Sequence, residues 1–400
     1  MISLMPLGDI CTDIIDCPHE SPEWKAEGIT VIRNFNLVNG QIDMRDGYYV
    51  DEETYKRRTR RAVPSEGDII FSREAPIGNC AIIPHDFQCC LGQRLVLLRV
   101  NHDVCSSEYL LSVLQSSYVK QQIDQVSKLG SIVSNFAIGD LRKLIIPILD
   151  NQHDIATFAS TITEKLTNNS VISSELESMV NLLYDYWFVQ FDFPDENGKP
   201  YKSTGGKMVW KDELNKEIPN EWETTTIGKI TICHDSKRIP VASKDRYEMI
   251  GSIPYYGATG IMGYVNRAIF SGDFILFAED GSVMDDKGHP ILQRVSGDAW
   301  INNHAHVLTP KHGYSCRLLM LMFKDIPVMK IKTGSIQMKV TQDNLNKYPL
   351  INIPTHLRAL INRILDPVDR KLLELEKENR ELTSLRDFLL PMLMNGQVQV

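Results

Sequence analysis

Two groups of polar side chains stand out by the hydrogen bonds that they can make. The first half of the chain carries one group beside predicted turns: Arg73, Gln93, Arg94, Ser131 and Asn135. The second half carries the other group: Tyr255, Tyr256, Thr259, Asn302, Asn303, His304, Gln337 and Lys339. Asn and Gln can pair bidentately with adenine, and Arg and Lys can pair with guanine. Any one of these residues is typical of a turn or a cap, but two sets at corresponding positions predict recognition of DNA bases.

A third feature is a run of positive charge with five cations in six positions: Lys56, Arg57, Arg58, Arg60 and Arg61. The acidic residues 51–53 precede this run and do not alternate with it, so we predict a loop that contacts phosphates. The alternative is a solvated surface run. Because the net charge is -8, local clusters and not the total charge must carry any contact with a polyanion.

Patterns that support self-contained catalysis are missing from the chain. Gly205-Gly206-Lys207 lacks the upstream glycine and the Ser or Thr of a phosphate-binding loop. His304-x-His306 places two imidazoles on one face of a strand, but no third ligand is near in sequence. We interpret that pair as a packing or polar contact and not as a metal site. The sequence therefore predicts a chain that is not an enzyme, with no catalytic residue, no metal ligand and no cofactor of its own.

The elements that position these residues occur twice, about 205 residues apart, which indicates an internal repeat. Leu7-Gly8-Asp9-Ile10 corresponds to Ile227-Gly228-Lys229-Ile230, and Gly67-Asp68 corresponds to Gly272-Asp273. In each copy the residue pattern predicts short strands with one or two small helices. In the first copy we predict strands at 29–32, 68–71, 81–83 and 95–98 and a helix at 107–125, and in the second copy strands at 274–277 and 305–308 and a helix at 317–323.

A stretch with heptad spacing follows each copy and predicts a long helix. In the first stretch, Lys165 and Asn169 interrupt an apolar seam made of Ile155, Phe158, Ile162, Ile172, Leu176, Met179, Leu183 and Tyr186. The second stretch gives the seam Ile361, Leu365, Val368, Leu372, Leu375, Asn379 and Leu382, with a three-residue step to Leu385. Pro367 predicts a kink or a helix start. The two helices most simply pack on each other as a rigid spacer; the alternative is that each packs on its own domain.

Length and composition agree with two domains of the α+β class, since 400 residues allow about 150 for each copy. We expect a first domain at 1–150, a helical spacer at 151–192, a linker at 193–220, a second domain at 221–353 and a helical spacer at 354–400. Residues 1–6 contain no basic region, and no run of about 18 apolar residues occurs, so we expect neither a secretory signal nor a membrane span. The eight irregularly spaced cysteines favour reduced thiols in a cytoplasm.

Taken together, these segments resemble the specificity subunit of a type I restriction-modification enzyme over all 400 residues. The motifs that carry the resemblance are the central segment 184–206, Ile218-Pro219 with Trp222, residues 256–260, 278–281 and 302–307, and the C-terminal stretch 385–397. The first domain lacks the Pro-x-x-Trp lead-in that is usual in this family.

The resemblance implies a particular division of labour. Two target recognition domains would each read one half of a bipartite DNA sequence, and the two long helices would form an antiparallel coiled coil that sets the spacing. Two methyltransferase subunits would dock on this chain and bring S-adenosylmethionine with the base-flipping chemistry. Restriction motor-nuclease subunits would bring ATP and Mg²⁺. The expected location is the cytoplasm.

Two alternatives to this function remain open at the level of sequence. One is a specificity chain of a related system in which a single fused partner carries methylation and cleavage. The other is an assembly scaffold that uses the coiled coil alone and binds no DNA. The recognised sequence cannot be read from the residues, because base preference depends on how the loops are posed.

Overall fold

The computed structural model describes residues 2–44, 47–74, 76–127, 135–334 and 338–398. The chain divides into two compact units: unit 1 comprises Met1–Ile172 with Lys377–Val400, and unit 2 comprises Ser173–Glu376. Each unit therefore contains one mixed domain together with a part of both long helices. The helical spacers, which the sequence predicts as segments separate from the domains, are shared between the two units.

Unit 1 alternates short strands with short helices. Its strands are β1 (Ile2–Pro6), β2 (Cys11–Asp16), β3 (Ile29–Ile32), β4 (Leu37–Val38), β5 (Gln41–Ile42), β6 (Tyr49–Val50), β7 (Ile69–Ser72), β8 (Cys80–Ile82), β9 (Cys89–Leu91), β10 (Leu95–Val100) and β11 (Ile145–Leu149). Its helices are α1 (Leu7–Ile10), α2 (Glu52–Arg58), α3 (Ser107–Leu114), α4 (Ser117–Ser127), α5 (Ile138–Leu141) and the first part of α6 (Gln152–Tyr184). The four predicted strands are found within one or two residues, but the single helix predicted at 107–125 is two helices.

Three of the sheets in unit 1 organise the domain. A four-stranded antiparallel sheet has the order β2-β10-β7-β8, and β7 is buried along its whole length. A second sheet has the order β6-β3-β9, in which β3 and β9 run parallel. The antiparallel pair β1-β11 joins the start of the domain to its end. Ser106 caps α3 by accepting a hydrogen bond from the backbone N of Tyr109, so the helix starts where a Ser precedes its apolar run.

Unit 2 contains the second copy and a hairpin before it. Its strands are β12 (Met208–Lys211), β13 (Lys216–Pro219), β14 (Glu223–Thr226), β15 (Thr231–Cys233), β16 (Ile250–Tyr256), β17 (Ile261–Val265), β18 (Phe270–Ala278), β19 (Leu292–Ile301), β20 (Ala305–Pro310), β21 (Lys332–Thr333), β22 (Lys339–Val340) and β23 (Pro349–Asn352). Its helices are α7 (Ile227–Ile230), α8 (Ser243–Arg246), α9 (Cys316–Phe323), α10 (Gln342–Lys347) and α11 (Thr355–Met394), which continues into unit 1. The segment 193–220, predicted as a linker, thus contains the hairpin β12-β13.

The sheets of unit 2 repeat the pairings of unit 1. The six-stranded sheet has the order β15-β20-β18-β19-β16-β17, and only the β16-β19 pair in it is parallel. Strands β15-β20-β18 correspond to β2-β10-β7, β16 and β17 correspond to β3 and β6, and the pair β14-β23 corresponds to β1-β11. Strand β19 pairs with both β18 and β16. In unit 1 two separate strands make the corresponding pairings, because β8 pairs with β7 and β9 pairs with β3. The internal repeat is thus present in the fold.

One proline accounts for the difference between β19 and the broken pair β8 and β9. Pro84 lies between β8 and β9 and has no backbone N–H for a ladder. Asp86, two residues later, has a positive φ of 53°. The chain therefore leaves the sheet between β8 and β9, whereas β19 crosses the same span of unit 2 without interruption.

Close packing explains the repeated glycine after the first residue of α1 and α7. A Cβ on Gly8 would lie 3.3 Å from the carbonyl O of Arg142, and one on Gly228 would lie 2.9 Å from the Cβ of Asn346. In both units this short helix packs against the residues that precede the last strand of the domain. Any larger side chain would separate these segments.

The central segment that carries much of the family resemblance is an aromatic core within unit 2. A π-helical turn (Asp185–Val189) ends α6 and buries Trp187 and Phe188. Phe193 then stacks on Trp222, with ring centroids 5.0 Å apart. Aromatic pairs of this kind add to the stabilisation from burial, so the motif anchors α6 to the second domain.

In unit 1, the start of α6 and the end of α11 pack together and against the domain. Ile155, Ala159, Leu390 and Met394 belong to the same buried cluster as the strands of the four-stranded sheet. Asn169, further along α6, donates from Nδ2 to Oδ1 of Asn379 at 2.8 Å. Residues near 155 thus cluster with residues near 390, and residue 169 contacts residue 379, so the two helices run antiparallel in unit 1. Helix pairing and packing on the domain therefore occur together, and the two arrangements considered from the sequence are not exclusive.

In unit 2, the buried face of α6 differs from the predicted seam. Val180, Tyr184 and Trp187 are buried, whereas the predicted seam residues Met179 and Tyr186 are 44% and 40% exposed. A helix with 3.6 residues per turn drifts away from a strict heptad, and the aromatic core fixes which face turns inward. The predicted heptad seam is therefore wrong at Ile172, Met179 and Tyr186, whereas Leu176 and Leu183 are partly buried and pack against the core cluster.

Helix α11 follows its predicted seam more closely. Ile361, Leu365, Val368, Leu372 and Leu375 are all buried. The predicted three-residue step fails, because Leu385 is 45% exposed. The helix is continuous through position 367, so the proline there does not start a helix.

Two further properties concern the described chain as a whole. Within the residues given above, no helix combines the length and the apolarity needed to cross a membrane. The eight cysteines are free thiols, and burial raises the pKa of Cys80 to about 12.

Candidate nucleic-acid interface

The predicted recognition residues of unit 1 meet where β7 ends and β10 begins. Arg73 directly follows β7, and its backbone N donates to the carbonyl O of Arg94 at 2.9 Å. The Arg73 guanidinium is buried: Nη1 contacts Oδ1 of Asp16 at 2.8 Å, Nε donates to the O of Phe136 at 2.8 Å, and Nη2 donates to Oδ1 of Asn135 at 3.1 Å. Arg73 therefore organises the site and is not free to contact a base.

The other members of this site surround Arg73 and are exposed or half-buried. Arg94 has a φ of 72° and pairs through Nε with the Glu74 carboxylate at 2.9 Å, with 53% of its side chain exposed. Gln93 donates from Nε2 to the carbonyl O of His19 at 2.6 Å. Asn135 is exposed. We call the set Arg73, Glu74, Gln93, Arg94 and Asn135 polar edge 1.

The same backbone arrangement occurs in unit 2. Glu279 directly follows β18, and its backbone N donates to the carbonyl O of His304 at 2.8 Å. The backbone N of Val340 donates to the O of Glu279 at 2.8 Å, as that of Phe136 does to the O of Arg73 at 2.9 Å. Glu279, His304 and Lys339 thus correspond to Arg73, Arg94 and Asn135.

The side chains of this second site form their own contacts. His304 hydrogen-bonds through Nδ1 to Oδ1 of Asp280 at 2.5 Å, and its backbone N donates to Oδ1 of Asn302 at 2.8 Å. Lys339 pairs with Oε1 of Glu279 at 3.0 Å, with half of its side chain exposed. Asn303 is exposed, whereas Asn302 is 3% exposed and shapes the turn. We call the set Glu279, Asp280, Asn303, His304 and Lys339 polar edge 2.

A buried charge network supports polar edge 2. Arg238 contacts Oε2 of Glu279 at 2.5 Å and Oδ2 of Asp235 at 3.3 Å, and it donates to the carbonyl O of Ala305 at 2.8 Å. Burial opposes ionisation of Glu279, but hydrogen bonds from Arg238 and Lys339 lower its pKa below the ordinary value. Burial also opposes ionisation of Asp235, and its bonds to His306 and to the backbone lower that pKa in the same way. Both carboxylates are therefore held ionised beneath the edge.

Three residues of this network have the side chains of a metal site. Ligand atoms of Cys233, Asp235 and His306 lie within 4.8 Å of one another. However, His306 Nδ1 is bonded to Asp235 at 2.5 Å, its Nε2 faces the carbonyl O of Val340 at 2.9 Å, and Arg238 lies against the same carboxylate. Burial raises the pKa of the Cys233 thiol to about 12, which disfavours the thiolate that a metal requires. We interpret the trio as an internal hydrogen-bond network.

Two predicted aromatic contacts are part of the core. Tyr255 is 2% exposed and Tyr256 is 7% exposed. The ring of Tyr255 lies 6.5 Å from that of Trp300 and beneath the Arg246 guanidinium. Of Tyr255, Tyr256 and Thr259, only Thr259 is exposed, as a recognition contact requires; it lies in the turn between β16 and β17. The grouping of both tyrosines with the exposed contacts is therefore wrong.

The basic run predicted as a loop is the end of helix α2 and the turn after it. Asp51 caps this helix by accepting from the backbone N of Thr54 at 2.8 Å, and Lys56, Arg57 and Arg58 lie in its last turn, where the helix dipole favours cations. Arg58 is 5% exposed and donates to the carbonyl oxygens of Leu91, Glu20 and Pro18. Arg58 is therefore a structural residue, and its prediction as a phosphate contact is not supported by its burial.

The other four cations of the run are exposed. Lys56 pairs with Glu52 at 3.4 Å, and Arg57 pairs with Glu20 at 3.3 Å. Two of these cations therefore have acidic partners that the separation of acidic and basic residues in the sequence did not indicate. Arg61 reaches the carbonyl O of Asp16, at the base of polar edge 1. Of the remaining predicted contacts, Ser131 and Gln337 lie outside the described residues.

Sequence reasoning missed Asp16, Asp235 and Arg238. A usable signal existed, because an Asp follows the repeated glycine of α1 and α7 by eight residues in the first copy and by seven in the second. It also missed an exposed aromatic group in unit 1, where the Arg33 guanidinium lies 4.6 Å from the Tyr48 ring centroid and 4.8 Å from that of Phe35. Such surfaces can stack on bases.

Comparison with known proteins now adds to this geometry. The family model described as "Type I restriction modification DNA specificity domain" matches residues 4–178 and 219–383, one copy in each half of the chain. The chain belongs to this family. The resemblance drawn from the sequence motifs is confirmed, as are the mixed fold and the repeat.

This specificity subunit has relatives that match either most of the chain or a part of it. It is 26% identical over 373 residues to the type I restriction enzyme MjaIX specificity subunit of Methanocaldococcus jannaschii, covering 88% of this chain and 82% of the other. It is 32% identical over 147 residues to a putative type I restriction enzyme specificity subunit, S.HindORF215P, of Haemophilus influenzae, covering 37% of each. These comparisons identify a specificity subunit of type I restriction-modification and support neither the scaffold nor the fused-partner alternative.

A solved structure shares the fold. The S subunit of a type I restriction-modification system from M. genitalium superimposes with a TM-score of 0.56 at 18% identity, covering 98% of this chain and 95% of the other. At this identity the likeness concerns the architecture and not individual contacts. The fold is therefore a property that this specificity subunit shares with that protein over nearly the whole chain.

Proposed function

We propose that each unit of this specificity subunit reads one half of a bipartite DNA target through its polar edge. The observation that carries the proposal is the equivalence of the two edges. One backbone frame, with the same three hydrogen-bonded positions, holds Arg73, Arg94 and Asn135 in unit 1 and Glu279, His304 and Lys339 in unit 2. A common frame with different side chains is what two readers of different half-sites require.

The exposed side chains are the proposed base contacts. In unit 1 these are Arg94 and Asn135, joined by the half-buried Gln93, and in unit 2 they are Thr259, Asn303, His304 and Lys339. Arg and Lys match guanine, and Asn and Gln match adenine. Arg73, Tyr255, Tyr256 and Asn302 are buried and would position these residues from below.

Phosphate contacts are proposed for the exposed part of the basic run: Lys56, Arg57, Arg60 and Arg61. These contacts would add affinity without sequence preference, because phosphates carry no sequence information. The net charge of -8 is compatible with this proposal, since α2 concentrates positive charge locally.

The chain would supply recognition and no catalysis. We propose that two methyltransferase subunits dock on it and bring S-adenosylmethionine, and that restriction motor-nuclease subunits bring ATP and Mg²⁺. The proposed location is the cytoplasm, where DNA and these partners meet. Family membership supports the kind of partner, whereas the number of each subunit is a proposal.

We also propose that α6 and α11 set the distance between the two half-sites. Both helices pass from one unit to the other, α6 after Ile172 and α11 after Glu376. Inserting four residues in α6 between Asn169 and Leu176, with a matched insertion in α11 between Leu372 and Asn379, would lengthen each by about 6 Å. We expect a target whose spacer is longer by one or two base pairs, since each pair adds about 3.4 Å.

The recognition proposal is tested by exchange of one reader. Replacing residues 221–353 with the equivalent stretch of another specificity subunit should change one half of the methylated motif and leave the other half. The measurement is sequencing of modified bases in host DNA. The reciprocal exchange of residues 1–150 is the control and should change the opposite half. A motif that changes in both halves after either exchange would contradict the modular assignment.

A further inference from the structure

A cavity in unit 2 has the composition of an anion site. It measures about 500 Å³ and lies where α7, the His312 turn and the start of α11 meet. Its seven lining residues include Lys229, His312 and Arg358 and contain no carboxylate. In a chain with a net charge of -8, a pocket with two permanent cations and no acid is unusual.

The start of α11 adds backbone donors to this cavity. The backbone N of Arg358 donates to the carbonyl O of Pro354 at 2.9 Å, which is the first turn of a helix of 40 residues. The three N–H groups that precede it have no partner within the helix, and the helix dipole places partial positive charge there. Thr355, at this helix start, lines the cavity. Phosphate groups bind readily at such helix N-termini.

A second observation is independent of the helix. Arg358 is 8% exposed, and its Nε is buried without a hydrogen-bond acceptor among the residues that the structure describes. Its orientation is fixed, because Nη2 donates to Oγ1 of Thr355 at 2.6 Å and the guanidinium lies 4.5 Å from the Tyr314 ring centroid. Because the Arg358 side chain lines the cavity, its permanent positive charge would lie beside a bound anion.

Unit 1 offers a natural comparison, because the corresponding place is built differently. Asp9 stands in α1 where Lys229 stands in α7. At the start of α6, Gln152 donates from Nε2 to the carbonyl O of Val104 at 3.2 Å, and its buried Oε1 has no donor in the described part of the chain. A carboxylate and an unpaired acceptor would repel an anion. Among the described residues, Lys229 therefore has no cationic counterpart at the corresponding position of unit 1.

We propose that this cavity, lined by Lys229, His312, Thr355 and Arg358, is a binding site for a phosphate group. The lining combines two cationic side chains with the backbone N–H groups of a helix start, and both kinds of donor bind phosphate oxygens in proteins. The phosphate has two possible sources: free inorganic phosphate, or a phosphate of the DNA backbone. Only the second source rests on the function proposed above.

The first experiment uses inorganic phosphate and the full chain, with sodium chloride at equal ionic strength as the reference. Phosphate at ten times its dissociation constant should raise the unfolding temperature of unit 2 by about 3–6 °C. Lys229→Asp, which copies the residue of unit 1, should weaken phosphate binding at least tenfold by calorimetry. Lys229→Gln should weaken it less. Lys229 is exposed, so neither change is expected to disturb folding.

Two matched controls accompany these variants. Lys330→Gln removes an exposed lysine of the same unit outside the cavity, and Asp9→Asn alters the corresponding position of unit 1; both should bind phosphate like the parent chain. Equal unfolding temperatures in phosphate and chloride, or unchanged binding by Lys229→Asp, would overturn the site. Acetate that competes as well as phosphate would overturn the assignment to phosphate.

The second experiment identifies the source. Lys229→Gln should reduce the salt dependence of duplex binding by about one unit of slope if the cavity holds a backbone phosphate. An unchanged slope, with free phosphate binding lost, assigns the site to the free anion. The methylated motif should be the same for both proteins. A failure of the chain to bind duplex would refute the proposed function but leave the phosphate measurement intact.

Discussion

Polar edge 1 and polar edge 2 share one backbone frame and carry opposite charge at their buried centres. The residue after the first central strand is Arg73, which is neutralised by Asp16 from β2. The corresponding residue after β18 is Glu279, which is neutralised by Arg238 and Lys339. A charge can therefore be reversed at this position provided that a neighbouring segment supplies its partner. The strands fix the frame, and the paired side chains are free to differ between readers.

A second difference lies between the same two units. In unit 1 the connection from β6 to β7 covers residues 51–68 and contains α2 with the basic run. In unit 2 the corresponding connection, from β17 to β18, covers only residues 266–269. The cationic helix is thus an addition to one copy of a common fold. Unit 1 is expected to contribute more of the sequence-independent affinity for DNA than this part of unit 2.

The largest effect should come from removing the partner of a buried charge. Arg238→Gln removes the positive charge that offsets the buried carboxylates of Asp235 and Glu279. We therefore expect the free energy of unfolding of unit 2 to fall by about 3–5 kcal/mol. Arg73→Gln in unit 1 should cost about 1–3 kcal/mol, because Asp16 keeps its contact with His19. Denaturant unfolding followed by hydrogen exchange in each unit measures both. Equal losses would mean that the two networks are energetically alike despite their different burial.

The basic run should produce the next largest effect, on affinity and not on stability. Replacing Arg57, Arg60 and Arg61 by Gln should weaken binding to every duplex by about ten- to a hundredfold and reduce the slope of log K against log salt by at most about 3. Arg58→Gln is the contrasting variant and should destabilise unit 1. Weakening confined to the preferred half-site would show instead that these arginines read bases.

The polar residues of the helix pair test a difference between the two ends of the spacer. Asn169 is fully buried in unit 1, whereas the residues that α6 and α11 bury in the core cluster of unit 2 are apolar. Asn169→Leu leaves Asn379 without its donor and should cost about 1–2 kcal/mol. The double variant with Asn379→Leu should recover most of that stability but form mixed assemblies, since polar seam residues select register. Light scattering and thermal unfolding separate the two outcomes, with Val171→Asn on the exposed face as control.

The smallest predicted effect is a pH dependence specific to unit 2. The folded pKa of Glu279 lies below its unfolded value, so its contribution is complete above about pH 4.3 and is lost as the pH falls through the folded pKa. Between pH 7 and pH 3, the free energy of unfolding of unit 2 should therefore fall more in the parent chain than in the Glu279→Gln variant. The corresponding residue of unit 1, Arg73, carries no carboxyl group. Glu213→Gln, an exposed change in unit 2, is the control and should behave like the parent chain.

Much of the candidate site followed from the sequence because its residues lie beside strands. Arg73 and Arg94 flank buried apolar runs, and His304 precedes another, so their meeting at one end of a sheet follows from strand pairing. Their roles did not follow. Sequence spacing cannot say that Arg73 is buried against Asp16, because that carboxylate lies 57 positions away and reaches it only through the pairing of β2 with β10.

The sequence alone determined the repeat, the fold class, the two long helices and the family, because each depends on spacing along the chain or on contiguous motifs. Only the tertiary structure decided which polar residues are exposed. Arg58, Tyr255, Tyr256 and Asn302 look like surface residues by type, yet the core needed their hydrogen bonds or their volume. It also decided the face of α6 that is buried beyond Asn169, since the aromatic core around Trp222 and not the heptad count selects that face. Burial is a property of the whole packing, and no local pattern of residues contains it.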